Sequence, residues 1–172
     1  MPSRITPLAI TACTATSALG HGCESHAQAL HSRRGGLRAN DFTGTPLACA
    51  IGRVDGLEQA ALPDAFADHD CRNNRLAWLG LGNDGFLDAA LGAIGRHGAE
   101  RVALVVGTST ASIGATEEAY RALEDGHLAP RFRKPLLHTP HSLGLFLEAA
   151  LGTRGPCLTV ATACSSSAKI FA

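Results

Sequence analysis

Cys164 is the residue whose neighbours best equip it to act as a nucleophile. Before it runs Cys157-Leu-Thr-Val-Ala-Thr-Ala, rich in β-branched residues and entered from Gly155-Pro156, a pattern that predicts a strand leaving a turn. After it come Ser165, Ser166 and Ser167, whose hydroxyls suit a helix entrance where they meet orphan backbone N–H groups. Ala168, Lys169, Ile170 and Phe171 continue in helical character. A thiol at that junction feels the positive end of the helix dipole, which favours the nucleophilic thiolate. Backbone N–H groups there point at the oxyanion formed when a carbonyl is attacked. A free cysteine without such neighbours is most often a small buried hydrophobe. The strand–Cys–Ser–Ser–Ser–helix context turns the reading toward covalent catalysis.

Other stretches carry weaker chemistry. Gly107-Thr-Ser109-Thr-Ala111 follows an apolar run and is one residue away from the G-x-S-x-G nucleophile elbow, but Ala111 stands where the closing Gly belongs. Gly80-Leu-Gly82-Asn-Asp-Gly85 matches G-x-G-x-x-G literally. A dinucleotide site needs a strand before that motif, whereas here it lies within a helical pattern, so close packing or local weakness is the better reading. His138-Thr-Pro-His141 and Asp68-His-Asp70 beside Cys71 read as solvated loop residues, because no third and fourth ligand stands at a usual metal spacing. Arg131, Arg133 and Lys134 form a basic patch, which is most often a solvated loop and otherwise suits an acidic partner.

These residues must be positioned by a folded core. The chain has 172 residues, 45% of them hydrophobic, enough for one domain. Lys+Arg and Asp+Glu both number 15, so no basic excess argues for nucleic acid. Six cysteines are scattered without a C-x-x-C pair, which fits neither a secreted disulfide scaffold nor a zinc site and favours a reduced, cytoplasmic setting. The apolar run after Arg4 is too short and too broken by threonines for a signal peptide, and no run approaches a membrane span.

Periodicity predicts a strand over 7–14, a helix from Glu24 to Leu30, an irregular stretch over 40–70 with a possible short strand at Leu47 to Ile51, and one long helix from Asn73 to about Ile94 closed by Gly95 and Gly98. Arg101 to Val106 reads as a strand buried on both faces, followed by a small-residue loop to Gly114 and a helix from Ala115 to Leu123 stopped by Gly126. A loop over Pro130 to Pro140 and a helix from Leu143 to Leu151 lead to the final strand. Strands alternating with helices predict a layered α/β domain, a mixed sheet flanked by helices. The helix begun at Cys164 meets no Gly, Pro or polar cap by Ala172, so the sequence is expected to be cut short inside it.

Val160-Ala-Thr-Ala-Cys164-Ser-Ser-Ser167 resembles the active-site motif of the β-ketoacyl-acyl-carrier-protein synthases, the condensing enzymes of fatty acid and polyketide synthesis. Gly152-Thr-Arg-Gly155-Pro156 resembles the turn before their nucleophile strand, residues 8–20 their opening strand and loop, and Arg33-Arg-Gly-Gly-Leu37 the close of their first helix. The resemblance implies the N-terminal half of a thiolase-like fold over residues 1–172, an incomplete synthase domain. It implies that Cys164 takes an acyl group from an acyl carrier protein thioester and that Thr108, Ser109, Thr110 and Ile113 help line the acyl pocket. Decarboxylative condensation with a malonyl-carrier protein, without cofactor or metal, would follow in the complete family enzyme, a homodimer. The two histidines and the lysine that serve this second step lie downstream of the cysteine in the family, so they are not assigned to His138 or His141. The chain alone is therefore expected to stop before condensation and to expose an apolar face. Three alternatives stand beside this reading: a thiolase-like enzyme using coenzyme A thioesters, a non-catalytic partner of another synthase, and a remnant.

Overall fold

Two short apolar runs, Leu104–Gly107 (β5) and Cys157–Val160 (β8), pair in parallel with Val105 opposite Leu158 and Gly107 opposite Val160. The computed structural model describes residues 7–42 and 47–171; Arg4, Pro46 and Ala172 lie outside these. Main-chain bonds from Leu104 N–H to the Pro156 carbonyl (2.8 Å) and from Thr108 N–H to the Val160 carbonyl (3.0 Å) extend the ladder at both ends. A parallel pair needs a crossover. Here it contains helix α4 (Ile113–Arg121), a hairpin of β6 (Leu123–Glu124) and β7 (His127–Leu128), a 3-10 turn at Pro130–Phe132, and helix α5 (Ser142–Leu151).

Helix α5 lies against one face of this pair. A Cβ on Gly144 would meet the Thr159 hydroxyl, His141 Cε1 at 2.9 Å and Cys157 Sγ at 3.1 Å, so only glycine allows the approach. Phe146, fully buried, faces the other way into a cluster of rings. Phe66 and Trp78 meet it nearly edge-on at 6.0 and 6.4 Å, and the His69 ring sits at 6.1 Å. Such ring pairs add to the area they bury. Side chains alternate across a strand, so Val105 and Leu158 point away from α5. They stay 44% and 58% exposed on an open sheet face, so the strand expected over Arg101 to Val106 with both faces buried begins only at Leu104 and is covered on one face.

Other elements precede this pair in the chain. Hairpin β1 (Thr16–Ser17) and β2 (Gly20–His21) runs into helix α1 (Gly22–His31), and β3 (Leu37–Ala39) pairs antiparallel with β4 (Ala50–Gly52). A 3-10 segment at Asp64–His69 precedes helices α2 (Arg72–Leu81) and α3 (Phe86–His97), and that segment and α2 pack on α5. The α/β class is as expected, with the sheet in pieces: one parallel pair and three antiparallel ribbons among the described residues.

Three more elements depart from the sequence reading. The described part of 7–14 is not a strand: Leu8 and Ile10 are almost fully exposed, and no described strand lies beside them to take their hydrogen bonds. The long helix over 73–94 is two helices. Gly82 ends α2, and Asp84 (φ 56°) and Gly85 (φ 66°) turn the chain through left-handed backbone before α3. The glycine-rich motif is thus a corner, with a helix before it instead of the strand a nucleotide site requires. The helix expected from Ala115 to Leu123 with a stop at Gly126 ends already at Arg121, and Leu123 and Gly126 belong to a hairpin. Asp125 (φ 49°) and Gly126 (φ 77°) form a two-residue turn with both φ values positive, the geometry that Asp-Gly favours. No helix among the described residues is long and apolar enough to cross a membrane.

Candidate active site

The carboxyl ends of β5 and β8 carry two loops side by side, and Cys164 stands in the second. After Val160 the chain passes Ala161 and Thr162 into a 3-10 turn (Ala163–Ser165) and then helix α6 (Ser166–Lys169). Ala163 has φ 53°, left-handed backbone that an L residue adopts at a cost. That kink, immediately before the cysteine, leaves the Cys164 thiol exposed.

Ser166 holds the turn in place. It is 2% exposed. Its hydroxyl accepts the Thr162 N–H (2.8 Å) and lies 2.9 and 2.7 Å from the carbonyls of Thr108 and Ala163, one of which takes its single proton. One hydroxyl thus ties the Cys164 turn to itself and to the end of β5. The approach is close: a Cβ on Gly107 would lie 2.9 Å from the Ser166 carbonyl carbon and oxygen and 3.0 Å from Ser167 N. The serines therefore act differently from the expected helix capping. Ser165, at the N-cap, makes no capping bond and donates back to the Thr162 carbonyl (2.9 Å). Ser166 satisfies an N–H upstream of the helix.

The loop after β5 meets this turn directly. The Ser109 hydroxyl donates to the Ala163 carbonyl at 3.3 Å. Ser109, Thr110 and Ile113 line a cleft of about 390 Å³ together with Thr116, His138 and Ala161. Thr108, placed with them by the sequence reading, lies outside that lining. Its hydroxyl accepts the Ala111 N–H at 2.9 Å and closes the loop. Cys164 does not line the cleft; Ala161 and the Ser109 bond connect the two. The back wall is anchored by Ser112, which is buried, donates to the Leu137 carbonyl and sits 2.9 Å from the Ser142 hydroxyl at the start of α5.

His138 and His141 are part-buried, where the sequence suggested solvated loop positions. His138 sits between the Thr116 hydroxyl (2.9 Å) and the Phe132 carbonyl (2.7 Å), so both its ring nitrogens are engaged. His141 Nδ1 meets the Thr159 hydroxyl at 2.6 Å, joining α5 to β8. Asp70 forms a two-pronged pair with Arg75 at 2.6 Å for each oxygen. The Arg75 guanidinium holds its carboxyl below the usual range. No group of three or more potential metal-binding side chains occurs among the described residues. In the basic patch, Arg131 stacks on the Phe132 ring at 4.8 Å and reaches Glu124 at 3.6 Å, and Arg133 donates to the Leu128 carbonyl.

Sequence reasoning missed Gly107 and Ser166. A glycine closing an apolar strand was a visible signal of close backbone approach. Nothing in a run of three serines marks which one turns inward.

No family model matches the sequence, and no curated protein matches it. Among solved structures, a chain of the ketosynthase (ApeO) in complex with its chain length factor (ApeC) from Xenorhabdus doucetiae is similar, with a TM-score of 0.72 and 28% sequence identity. The fold is ketosynthase-like. The similarity covers 90% of this chain and 39% of that one, so this chain spans well under half of the structure it matches.

Proposed function

We propose that this chain carries the nucleophile half of a β-ketoacyl-acyl-carrier-protein synthase site. The observation that supports this most is the seating of an exposed cysteine on a kinked turn, bonded through Ser166 to the end of the neighbouring strand, in a ketosynthase-like fold. In the first half-reaction the Cys164 thiolate attacks the carbonyl carbon of an acyl thioester. A new C–S bond forms, the old one breaks, and the carrier thiol leaves with a proton. Ser109, Thr110 and Ile113 line the space nearest the turn, where the acyl chain would lie. Thr108 supports the loop that holds them. Arg131, Arg133 and Lys134 are the basic groups an acidic carrier protein would meet. The second half-reaction needs groups that polarise the malonyl thioester. Neither His138 nor His141 is assigned that role, because each is tied into the framework of the domain.

The test is acyl transfer onto the purified chain from an acyl carrier protein thioester. Intact mass should rise by one acyl group, mapped to Cys164, and Cys164→Ala should remove the adduct while preserving the fold. Competition between carrier and coenzyme A thioesters then separates a synthase from a thiolase-like enzyme. An adduct that persists in Cys164→Ala, or a condensation product made by the chain alone, would sink the proposal. A second reading draws on the similar structure, a ketosynthase held by a chain length factor: this chain could serve a synthase as a partner without chemistry of its own. Loss of the partner's activity on removing the chain, with none on Cys164→Ala, would favour that reading.

A further inference from the structure

The sequence places Cys13 and Cys23 ten residues apart with no pairing motif, yet the fold brings their sulfurs to 3.9 Å. Cys13 lies exposed in the extended segment before β1, and Cys23 is the second residue of α1. The Cys23 thiol also sits 3.7 Å from the Cys13 carbonyl. Hairpin β1–β2 is the loop between them, closed by a Gly22 N–H bond to the Ala15 carbonyl at 2.8 Å. One carboxylate holds both sides: Asp84, from the corner between α2 and α3, accepts the Thr14 hydroxyl at 2.8 Å and the Cys23 N–H at 3.0 and 3.2 Å.

We propose that Cys13 and Cys23 are a thiol–disulfide exchange site that closes to an intramolecular disulfide on meeting a low-molecular-weight disulfide such as oxidised glutathione. The sulfurs must come about 1.9 Å closer to reach bonding distance of about 2.05 Å. The exposed Cys13 side chain stands on backbone outside any helix or strand, so its rotation can supply that. The Cys13 thiolate attacks a sulfur of the reagent, forming a mixed disulfide and releasing one glutathione thiol. Cys23 then attacks the Cys13 sulfur, loses its proton, and expels the second glutathione as a thiol. Two protein thiols are oxidised and one reagent disulfide is reduced. The order follows from the environment: contact with the Cys13 thiol, loss of solvent and the Asp84 carboxylate push the Cys23 thiol up to about 11, so Cys23 keeps its proton while the exposed Cys13 meets the reagent first. The product ties Cys13, just before β1, to the first turn of α1.

The experiment treats the full chain with oxidised glutathione, blocks remaining thiols with iodoacetamide and maps tryptic peptides without reduction. No Lys or Arg lies between Arg4 and Arg33, so both cysteines fall on one peptide, Ile5–Arg33, and are its only two. The expected result is that peptide lighter by two hydrogen atoms and unalkylated, reverting with dithiothreitol. Cys23→Ser should instead leave one glutathione on Cys13. A peptide carrying two glutathiones, or two thiols alkylated as fast as exposed Cys49, overturns the proposal. Asp84→Gly removes the shared anchor while suiting the left-handed backbone; it also frees the Cys23 thiol to ionise, so closure is compared per Cys23 thiolate from a pH series, where it should slow about tenfold, the worth of one charge-assisted hydrogen bond. Protection of buried Cys71 checks that this variant is folded. Unchanged closure per thiolate in a folded Asp84→Gly protein would show that the thiols meet by chance motion and overturn the preorganised pair.

Discussion

Gly107→Ala tests whether the end of β5 sets the position of the turn that carries Cys164. The added Cβ would lie 2.9 Å from the carbonyl carbon and oxygen of Ser166 and 3.0 Å from Ser167 N. All three are backbone atoms, so no side-chain rotation relieves the clash. Ordinary contact begins at 3.4 Å, so the start of α6 must retreat by about 0.5 Å. Overpacking of this kind costs about 1–3 kcal/mol. The retreat also stretches the Ser166 bond to the Thr108 carbonyl and carries Cys164 with it. Displacements approaching an ångström at a reacting group cost up to about a hundredfold in rate. The urea midpoint should therefore fall, and acyl transfer to Cys164 should slow by about ten- to a hundredfold. Gly114→Ala is the control: its Cβ would meet nothing within 4 Å, and it lies inside α4. That change should raise stability by about 0.5–1 kcal/mol and leave acylation alone. If the two variants behave alike in both assays, strand β5 does not position the cysteine and the reasoning fails.

Phe146→Ala empties the centre of the ring cluster and should cost about 3–5 kcal/mol, read as a lower urea midpoint; a loss under 1 kcal/mol would mean that Phe66 and Trp78 close the gap. The Asp70 carboxyl titrates below its ordinary 3.8 because of Arg75, so its pairing contributes stability above that pH and loses it as pH falls through the lower folded value. Arg75→Met should remove that contribution and flatten the acid limb of a plot of urea midpoint against pH; parallel limbs would refute the pairing. Burial raises the thiols of Cys71 and Cys157, the latter with help from Glu148. Iodoacetamide should accordingly label exposed Cys49 and Cys164 well before these two, as followed by peptide mapping.

Local chemistry made much of this architecture readable. The alternation of β-branched residues around Leu158 and Val160, and the apolar run at Val102–Val106, identified the two strands that pair, but not their burial: such a run suits a strand covered on both faces, and here one face is open. Leu143 to Leu151 was legible as a helix because Gly152, in left-handed backbone, ends it. The break in the 73–94 helix was less visible. Apolar residues keep helical phase across Gly82 to Gly85, and periodicity cannot register a corner that preserves phase. The strand expected at 7–14 failed for a different reason. Alternation gives a segment the faces of a strand, but a strand exists only where another supplies its hydrogen bonds, and none of the described strands does.

The same distinction runs through the site. The turn around Cys164 was legible because the residues that build it, Thr162 to Ser167, are adjacent in sequence. Its support was not, because that support is long-range: Thr108 and Ser109 reach it across more than fifty positions, through bonds to Ser166 and Ala163. A serine's hydroxyl can cap a helix, back-bond within a turn or cross to another strand, and the choice depends on which carbonyl comes near. Here Gly107 makes the choice by letting the end of β5 approach the backbone of Ser166. The two residues therefore act as one unit, and their effects should not add. Ser166→Ala leaves the Thr162 N–H without its acceptor and should cost about 1–3 kcal/mol by itself. Once Gly107→Ala has pushed the turn away, the same change should cost clearly less. A double variant whose loss in urea stability equals the sum of the single losses would show that the glycine and the serine hold the Cys164 turn independently.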